Sequence, residues 1–295
     1  MKRKIIKQKD SYTITLPIEW IREFGLKEKD EVYMDFEDNI VVISTDKLKK
    51  TETKIKIITT AETAIRSIIT NAYRLGYDKV EIEFENEEVY KIIEGITKRH
   101  LFGYEVMRKE DNKCVVEAIA DLSKKNFDSI ILKLFYAIQE LLGIASNKLN
   151  NKRSTLDLEE IEDKIKMYDN MCRRIITKKG PITKRTYLLW SFLSLLIHSQ
   201  RSIYYFTKNL KSKRYSKELK QIFLTAKQML EYIIDAYKYK NLELIEKINE
   251  IQESFNLIED EAKKLNKEEA ILAYFLFYTR RNAYLAGSPL IGLII

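Results

Sequence analysis

The 295-residue chain has little glycine, proline, cysteine or histidine. Only eight Gly and three Pro interrupt it, whereas an all-β chain would need a turn about every ten residues. We therefore expect long helices to dominate. Cys114 and Cys172 stand far apart in sequence, and no secretory signal precedes them. This pattern favours two buried thiols in a cytoplasmic protein over a disulfide framework.

Catalytic and membrane signatures are also missing from the sequence. His100 and His198 have no partners at metal-ligand or triad spacing, and no phosphate-binding glycine loop or nucleophile elbow is present. We therefore expect that the protein is not an enzyme. The longest uncharged run, residues 186–200, is shorter than the roughly 20 residues that a membrane-spanning helix needs. No stable membrane insertion is expected.

A dense pattern of short elements occupies the first fifty residues. Tyr12 and Ile14 alternate with polar residues as in a half-buried strand, and Pro17 ends that strand. Apolar residues then recur at helical spacing over residues 18–24, Gly25 follows as a C-terminal cap, and two more strands surround a polar turn. So short a module has too little chain for a stable core, so oligomerisation or a neighbouring domain should complete it.

The stretch IIKQKDSYTITLPIEWIREFGLKEKDEVYMDFEDNIVVIS resembles the AbrB/SpoVT-type swapped-hairpin domain. The resemblance covers residues 4–44 and includes a strand, a TLP turn into a short helix, GL and DEV in the family's order. It implies a homodimer or higher even oligomer in which two chains interleave their hairpins into one small barrel that binds DNA. The basic residues that would face phosphates are Lys2, Arg3, Lys4, Lys7, Lys9 and Arg22.

Residues 49–122 show strand and helix patterns in the order β-α-β-α-β-β, which predicts a small α/β domain. Within them, NAYRLGYDKVEIEF and RHLFGYEVMRKED are similar to the middle segment of archaeal proteins that join an AbrB-like domain to a PhoU-like domain. The chain is accordingly divided into domains at 1–48, 49–122 and 123–295. The predicted fold class is multidomain α+β, mainly α.

Six helical segments with apolar stripes follow. They are predicted at residues 126–149, 156–178, 182–211, 215–239, 241–265 and 267–287. The third and the sixth are apolar nearly all round, which indicates two three-helix repeats, 123–212 and 213–295. This layout resembles that of PhoU-like regulators of phosphate uptake.

Several PhoU-like proteins bind metal clusters through acidic motifs, and this chain departs from those motifs. Lys166, Gln200 and Tyr204 stand at positions where the family carries carboxylates. Carboxylates are the hard oxygen ligands that such a site needs, and a lysine repels a metal ion. We therefore expect no metal and no cofactor.

The net charge of +8 is concentrated in one part of the chain. Residues 171–220 contain thirteen Lys or Arg and one acid, Glu218. Such a segment attracts polyanions or an acidic partner, although a solubilising face with cations at helix C-termini would also explain part of it. The predicted anion or partner patch, in two clusters, comprises Arg173, Arg174, Lys178, Lys179, Lys184, Arg185, Lys208, Lys211, Lys213 and Arg214.

Two functional hypotheses follow. In the first, the protein is a DNA-binding transcription regulator linked to phosphate uptake or phosphate signalling, and its helical half senses or relays a signal through a protein partner. In the second, it is a signalling adaptor that dimerises through the barrel without binding DNA. The adaptor would dock a phosphate-transporter component or a membrane surface through its basic helices.

Overall fold

The computed structural model describes residues 2–37, 40–45, 51–120, 127–178, 184–254, 260 and 262–295. These residues form two compact units, Met1–Thr51 and Glu52–Ile295. The first unit contains two small hairpins and one short helix, and the second contains a four-stranded sheet and long helices. The fold class, multidomain α+β and mainly α, is confirmed.

The first unit consists of two antiparallel hairpins with a helix between them. Its elements are β1 (Ile6–Gln8), β2 (Ser11–Thr13), α1 (Ile18–Glu23), β3 (Tyr33–Glu37) and β4 (Ile40–Ser44). β1 pairs with β2 and β3 with β4. α1 begins after Pro17, and Gly25 beyond its end adopts a φ of 62°, both as predicted. β2 ends at Thr13, earlier than the alternation predicted.

The second unit opens with a sheet and two helices in the predicted β-α-β-α-β-β order. Its elements are β5 (Glu52–Lys56), α2 (Glu62–Arg74), β6 (Lys79–Glu83), α3 (Glu87–His100), β7 (Tyr104–Glu110) and β8 (Lys113–Ala118). The strand order in the sheet is β5-β6-β8-β7, with only β5 and β6 parallel. Asn86 caps α3 because its side chain accepts a hydrogen bond from the backbone N of Val89, at 3.1 Å.

Six further helices complete the second unit among the described residues. They are α4 (Phe127–Leu149), α5 (Leu158–Lys178), α6 (Lys184–Asn209), α7 (Lys217–Tyr239), α8 (Glu243–Glu253) and α9 (Lys267–Ile294). α6 and α9 share the most extensive helix–helix contact, and α4 packs on α5 and α6. α2 and α3 pack on α5, so the α/β part and the helices belong to one compact unit.

The predicted domain boundaries at residues 48 and 122 fall in 46–50 and 121–126, outside the described residues. Part of the fifth predicted helix, over 255–259 and 261, lies outside them too. The division into two three-helix repeats stays a prediction.

Within the described residues, one helix, α4, is long and apolar enough to cross a membrane. However, 56% of its most apolar window is buried inside the protein, which is how the core helix of a folded domain behaves. Ile131, Leu134 and Phe135 on this helix have no solvent exposure.

Candidate functional site

The cations predicted to contact DNA lie on the first unit and are exposed. Lys2, Arg3, Lys4 and Lys7 belong to the segment that leads into and through β1, and Arg22 lies in α1. The sixth, Lys9, lies in the turn between β1 and β2 with a φ of 51°. A positive φ is uncommon for a residue other than glycine and is typical of a tight turn. No ion pair joins these six to another described residue.

The apolar side chains of the first unit are exposed as well. Ile5 is 70% exposed, Tyr12 68%, Tyr33 54% and Ile14 50%. Among the residues of this unit whose burial the structure describes, only Thr45 is buried. Isolated two-stranded hairpins are at best marginally stable in water, and contiguous exposed apolar surface is typical of an interaction site. These exposed side chains are available for a partner to cover.

The predicted basic patch on the second unit is only partly a surface feature. Arg173 and Arg174 are 4% and 2% exposed, so the prediction that they belong to an accessible patch is wrong. Arg174 donates to the backbone oxygens of Tyr73 and Tyr77, at 2.8 and 2.9 Å, and pairs with Asp78 at 2.9 Å. These two arginines hold α5 against the rest of the unit.

Most of the remaining predicted patch residues have partners. Lys178 pairs with Asp78, and both Lys211 and Lys213 pair with Glu268. The remaining members are Lys179, Lys184, Arg185, Lys208 and Arg214. Arg185 and Arg214 are exposed, Lys208 belongs to the cleft described next, and Lys179 and the side chain of Lys184 lie outside the described residues.

A polar cleft of about 740 Å³ lies within the second unit. Side chains from α2, α3, α5 and α6 line it. Lys166, Gln200 and Tyr204, the three residues that replace acids of the PhoU-like pattern, are all among them. The residues that depart from that pattern are therefore brought together by the fold.

Asp169 of α5 is a buried acid of the cleft with two arginine partners. Its carboxylate is 2% exposed and bonds Arg74 of α2 at 2.7 Å and Arg173 at 2.8 Å. Arg74 also donates to the side chain of Asn170 at 2.7 Å. Burial lowers the pKa of Arg74, and the charge of Asp169 opposes that shift. This network joins the α/β part to the helices.

His100, the last residue of α3, closes one side of the cleft. Its Nε2 lies 2.8 Å from Asp163, whereas Nδ1 has no hydrogen-bond partner among the described residues. Burial lowers the pKa of His100, and the hydrogen bond to Asp163 opposes the shift. When the neutral ring donates from Nε2 to Asp163, Nδ1 is left as an acceptor.

A second polar group joins α5 and α6. The hydroxyl of Tyr204 donates to the carboxylate of Glu159, at 2.7 Å, and Lys208 donates to the same carboxylate at 2.8 Å. The hydrogen bonds from Lys208 and Tyr204 lower the pKa of Glu159. The polar groups of Tyr204 and Lys208 are thus both hydrogen-bonded to Glu159.

Glu162, Gln200 and Arg201 stand apart from these bonded groups. Glu162 is 2% exposed, and one of its carboxylate oxygens, Oε2, has no hydrogen-bond partner in the described part of the chain. Gln200 is 1% exposed, and its amide lies within hydrogen-bonding reach of Glu162, which lowers the pKa of that carboxyl, but neither polar atom of the amide makes a hydrogen bond of good geometry to a described residue. Arg201 is exposed and makes no ion pair with a described residue.

Burial raises the pKa of Glu162, and the charges of Lys166 and Arg201 oppose that shift. Lys166 Nζ lies 3.7 Å from Glu162 and 3.3 Å from Asp163. Among the described residues, no three His, Cys, Asp or Glu side chains are grouped to hold a metal ion. The expectation that no metal or cofactor binds stays a prediction.

Reasoning from the sequence did not identify the acids of α5 as members of a site. The signal that could have found them is their spacing. Glu159, Glu162, Lys166, Asp169 and Arg173 recur every three or four residues and so share one face, opposite the apolar stripe that packs on α4. When a helix has an apolar face that packs on one neighbour and a charged stripe on the opposite face, the charged stripe indicates a polar interface inside the fold.

A protein-family model described as "Antidote-toxin recognition MazE, bacterial antitoxin" matches residues 5–50. Residues 5–50 are therefore similar to a MazE-type, AbrB/SpoVT-like domain. No curated protein and no solved structure matches the chain. The match covers both hairpins and α1, and supports the N-terminal part of the resemblance. Such domains typically dimerise and bind DNA. The PhoU-like part of the resemblance stays a prediction.

Proposed function

We propose that the protein is a DNA-binding transcription regulator that contacts DNA through a dimer of its first unit. The observation that carries the proposal is the family match to residues 5–50. A domain of this kind is compatible with a DNA-binding regulator or an antitoxin. We also propose that the protein acts in the cytoplasm, where DNA is accessible, and that it has no catalytic activity of its own.

The first unit supplies what such a dimer needs. Its apolar side chains are exposed, so a second copy would bury them. Five cations, from Lys2 to Lys9, precede the first acid of the chain, so a dimer would present ten in its two N-terminal segments. Cations that neutralise phosphates release counterions from DNA and make the affinity depend on salt concentration.

The role of the second unit rests on the PhoU-like resemblance. It would sense or relay a signal connected with phosphate uptake or phosphate signalling and transmit it to a protein partner. The competing adaptor hypothesis keeps the dimer but assigns no DNA binding to it. The two hypotheses differ in whether the N-terminal cations contact DNA, so one binding experiment separates them.

Fluorescence anisotropy with the protein's own promoter and with an unrelated duplex, across a salt series, tests the proposal. The variant Lys2→Ala/Arg3→Ala/Lys4→Ala should bind both duplexes more weakly. If all three cations of both protomers contact phosphates, the slope of log affinity against log salt should fall by about 5. The control Lys27→Ala/Lys29→Ala, which removes exposed cations from the loop after α1, should bind like the unaltered protein.

Tighter binding to the promoter, lost in the N-terminal variant alone, supports the regulator. Two results would contradict it. One is the absence of binding to either duplex. The other is weak binding that is equal for both duplexes and disappears only when Lys211, Lys213 and Arg214 are neutralised, which would favour the adaptor hypothesis.

A further inference from the structure

Three residues that line the cleft have buried polar atoms without a well-formed hydrogen bond to any described residue. These atoms are both amide atoms of Gln200, Oε2 of Glu162 and Nδ1 of His100. Buried side-chain polar atoms in native proteins nearly always have a partner, and each exception requires an explanation. Three such residues lining a single cleft indicate that the partner is a molecule that enters the cleft.

The charges of the cleft indicate the sign of that molecule. Among the lining cations, Arg66, Arg74, Arg99, Lys166 and Lys208 lie within ion-pair distance of a carboxylate. Arg201, next to Gln200 in sequence, is the described cation of the cleft that has no such partner. A guanidinium presents its N–H groups in a planar fork that matches the oxygens of a carboxylate or phosphate. The guanidinium of Arg201 is therefore suited to bind an oxyanion.

The buried atoms without hydrogen bonds to described residues indicate which other groups the ligand carries beside its oxyanion. Glu162 Oε2, His100 Nδ1 and the oxygen of Gln200 are acceptors and require hydrogen atoms from the ligand. Hydroxyl or amine groups supply such hydrogens, whereas a fully ionised inorganic anion does not. The volume of about 740 Å³ lies within the range of small-molecule sites, which runs from about 300 to 1,000 Å³. Size and chemistry both favour a small organic molecule over a bare ion.

We propose that this cleft binds a small metabolite that carries a carboxylate or phosphate next to hydroxyl or amine groups. Arg201 binds the oxyanion, the amide of Gln200 both donates and accepts, and Glu162 and His100 accept hydrogen bonds from the neighbouring groups. The cleft lies wholly within residues 52–295, so ligand binding can be measured whether or not the first unit binds DNA.

Isothermal titration calorimetry of the full chain with four probes tests the proposal. Glycerol 3-phosphate and glycerate carry a phosphate or a carboxylate beside hydroxyl groups, glycerol carries hydroxyls alone, and sulfate is an anion without hydrogen atoms to donate. We expect one or both of the first two to bind saturably, with a dissociation constant below about 1 mM, and to bind more tightly than the last two. The comparison of the first two identifies the anionic group.

Four variants assign the binding to this cleft. Arg201→Gln should weaken binding of the anionic probe about tenfold to hundredfold, and Arg201→Lys, which keeps the charge but not the fork, should weaken it less. Gln200→Met, which keeps the length of the side chain, should weaken it about twofold to tenfold. Arg281→Gln removes an exposed arginine of α9 outside the cleft and should leave the affinity unchanged.

The proposal is overturned if neither glycerate nor glycerol 3-phosphate binds saturably up to about 10 mM. It is also overturned if Arg201→Gln binds as the unaltered protein does, or if Arg281→Gln weakens binding equally. Circular dichroism of each variant shows whether the fold is retained. Because Arg201 is exposed and makes no ion pair with a described residue, its substitution should leave the fold intact.

Discussion

Asp169→Asn should destabilise the second unit strongly, since this carboxylate balances two arginines. Asp169 is 2% exposed and accepts from Arg74 at 2.7 Å and from Arg173 at 2.8 Å. Removing one member of a buried ion pair leaves an uncompensated charge and costs about 3–5 kcal/mol. Asparagine retains one acceptor oxygen, so we expect a loss near 3 kcal/mol. For a domain of this size that loss lowers the melting temperature by about 6–12 °C.

The appropriate assay is urea unfolding followed by circular dichroism, with the free energy extrapolated to water. An unchanged slope of the unfolding free energy against urea concentration would show that the variant exposes as much surface on unfolding as the unaltered protein does. Glu160→Gln serves as a control, because Glu160 forms an exposed ion pair with Lys164 one helical turn away on the same helix. A pair of that kind contributes at most about 0.5 kcal/mol.

The double variant Asp169→Leu/Arg173→Leu separates lost pairing from lost packing. It removes the acid together with its most buried partner, and apolar replacements of buried ion pairs are often neutral or stabilising. Arg74 retains its hydrogen bond to Asn170. We expect the double variant to recover at least half of the loss. The reasoning is refuted if Asp169→Asn costs less than about 1 kcal/mol, or if the double variant is less stable than the sum of its single variants predicts.

Two further predictions concern the same cleft. Gln200→Met removes a buried amide that has no hydrogen bond to a described residue, so it should raise the free energy of unfolding by about 1–3 kcal/mol; a decrease would show that the amide is already satisfied. His100 has a pKa below its usual value because it is buried, with Asp163 opposing the shift and Lys166 and Arg99 adding to it. The neutral ring therefore contributes stability that is fully present above about pH 6.5 and is lost as pH falls towards the lowered pKa. The melting temperature should fall more between about pH 7.5 and pH 5.5 in the unaltered protein than in His100→Gln, and equal falls would contradict this.

The order and type of the secondary-structure elements could be predicted because each one carries its own local signal. Pro17 and Gly25 bound α1, and Asn86 begins α3. The long helices have apolar residues every three or four positions, as the buried face of α4 shows. These signals depend only on neighbouring residues, so they are readable without tertiary information.

The end of α9 could not be predicted because tertiary packing overrides its local signals. Gly287, Pro289 and Gly292 all disfavour a helix, yet the helix continues to Ile294. Leu290 is fully buried, so the core compensates for these residues. At Gly292, an added Cβ would lie 2.8 Å from the side chain of Leu188 on α6, so glycine permits the close approach of the two helices.

The sequence shows which charged residues the cleft contains, but it does not show which of them are paired. A count of charge along the chain treats Arg173 and Arg201 alike, as two cations of one basic segment. The fold gives them opposite roles: Arg173 is buried against Asp169, and Arg201 is exposed without an ion pair. Whether a cation is available to a ligand depends on which acids the folded chain places beside it: Asp169 lies one turn before Arg173 on the same helix, whereas no described acid forms an ion pair with Arg201. A glutamine next to Arg201 is equally ordinary in the sequence. Once Gln200 is found buried with no hydrogen bond to a described residue, that glutamine becomes the strongest indication that the cleft has a ligand.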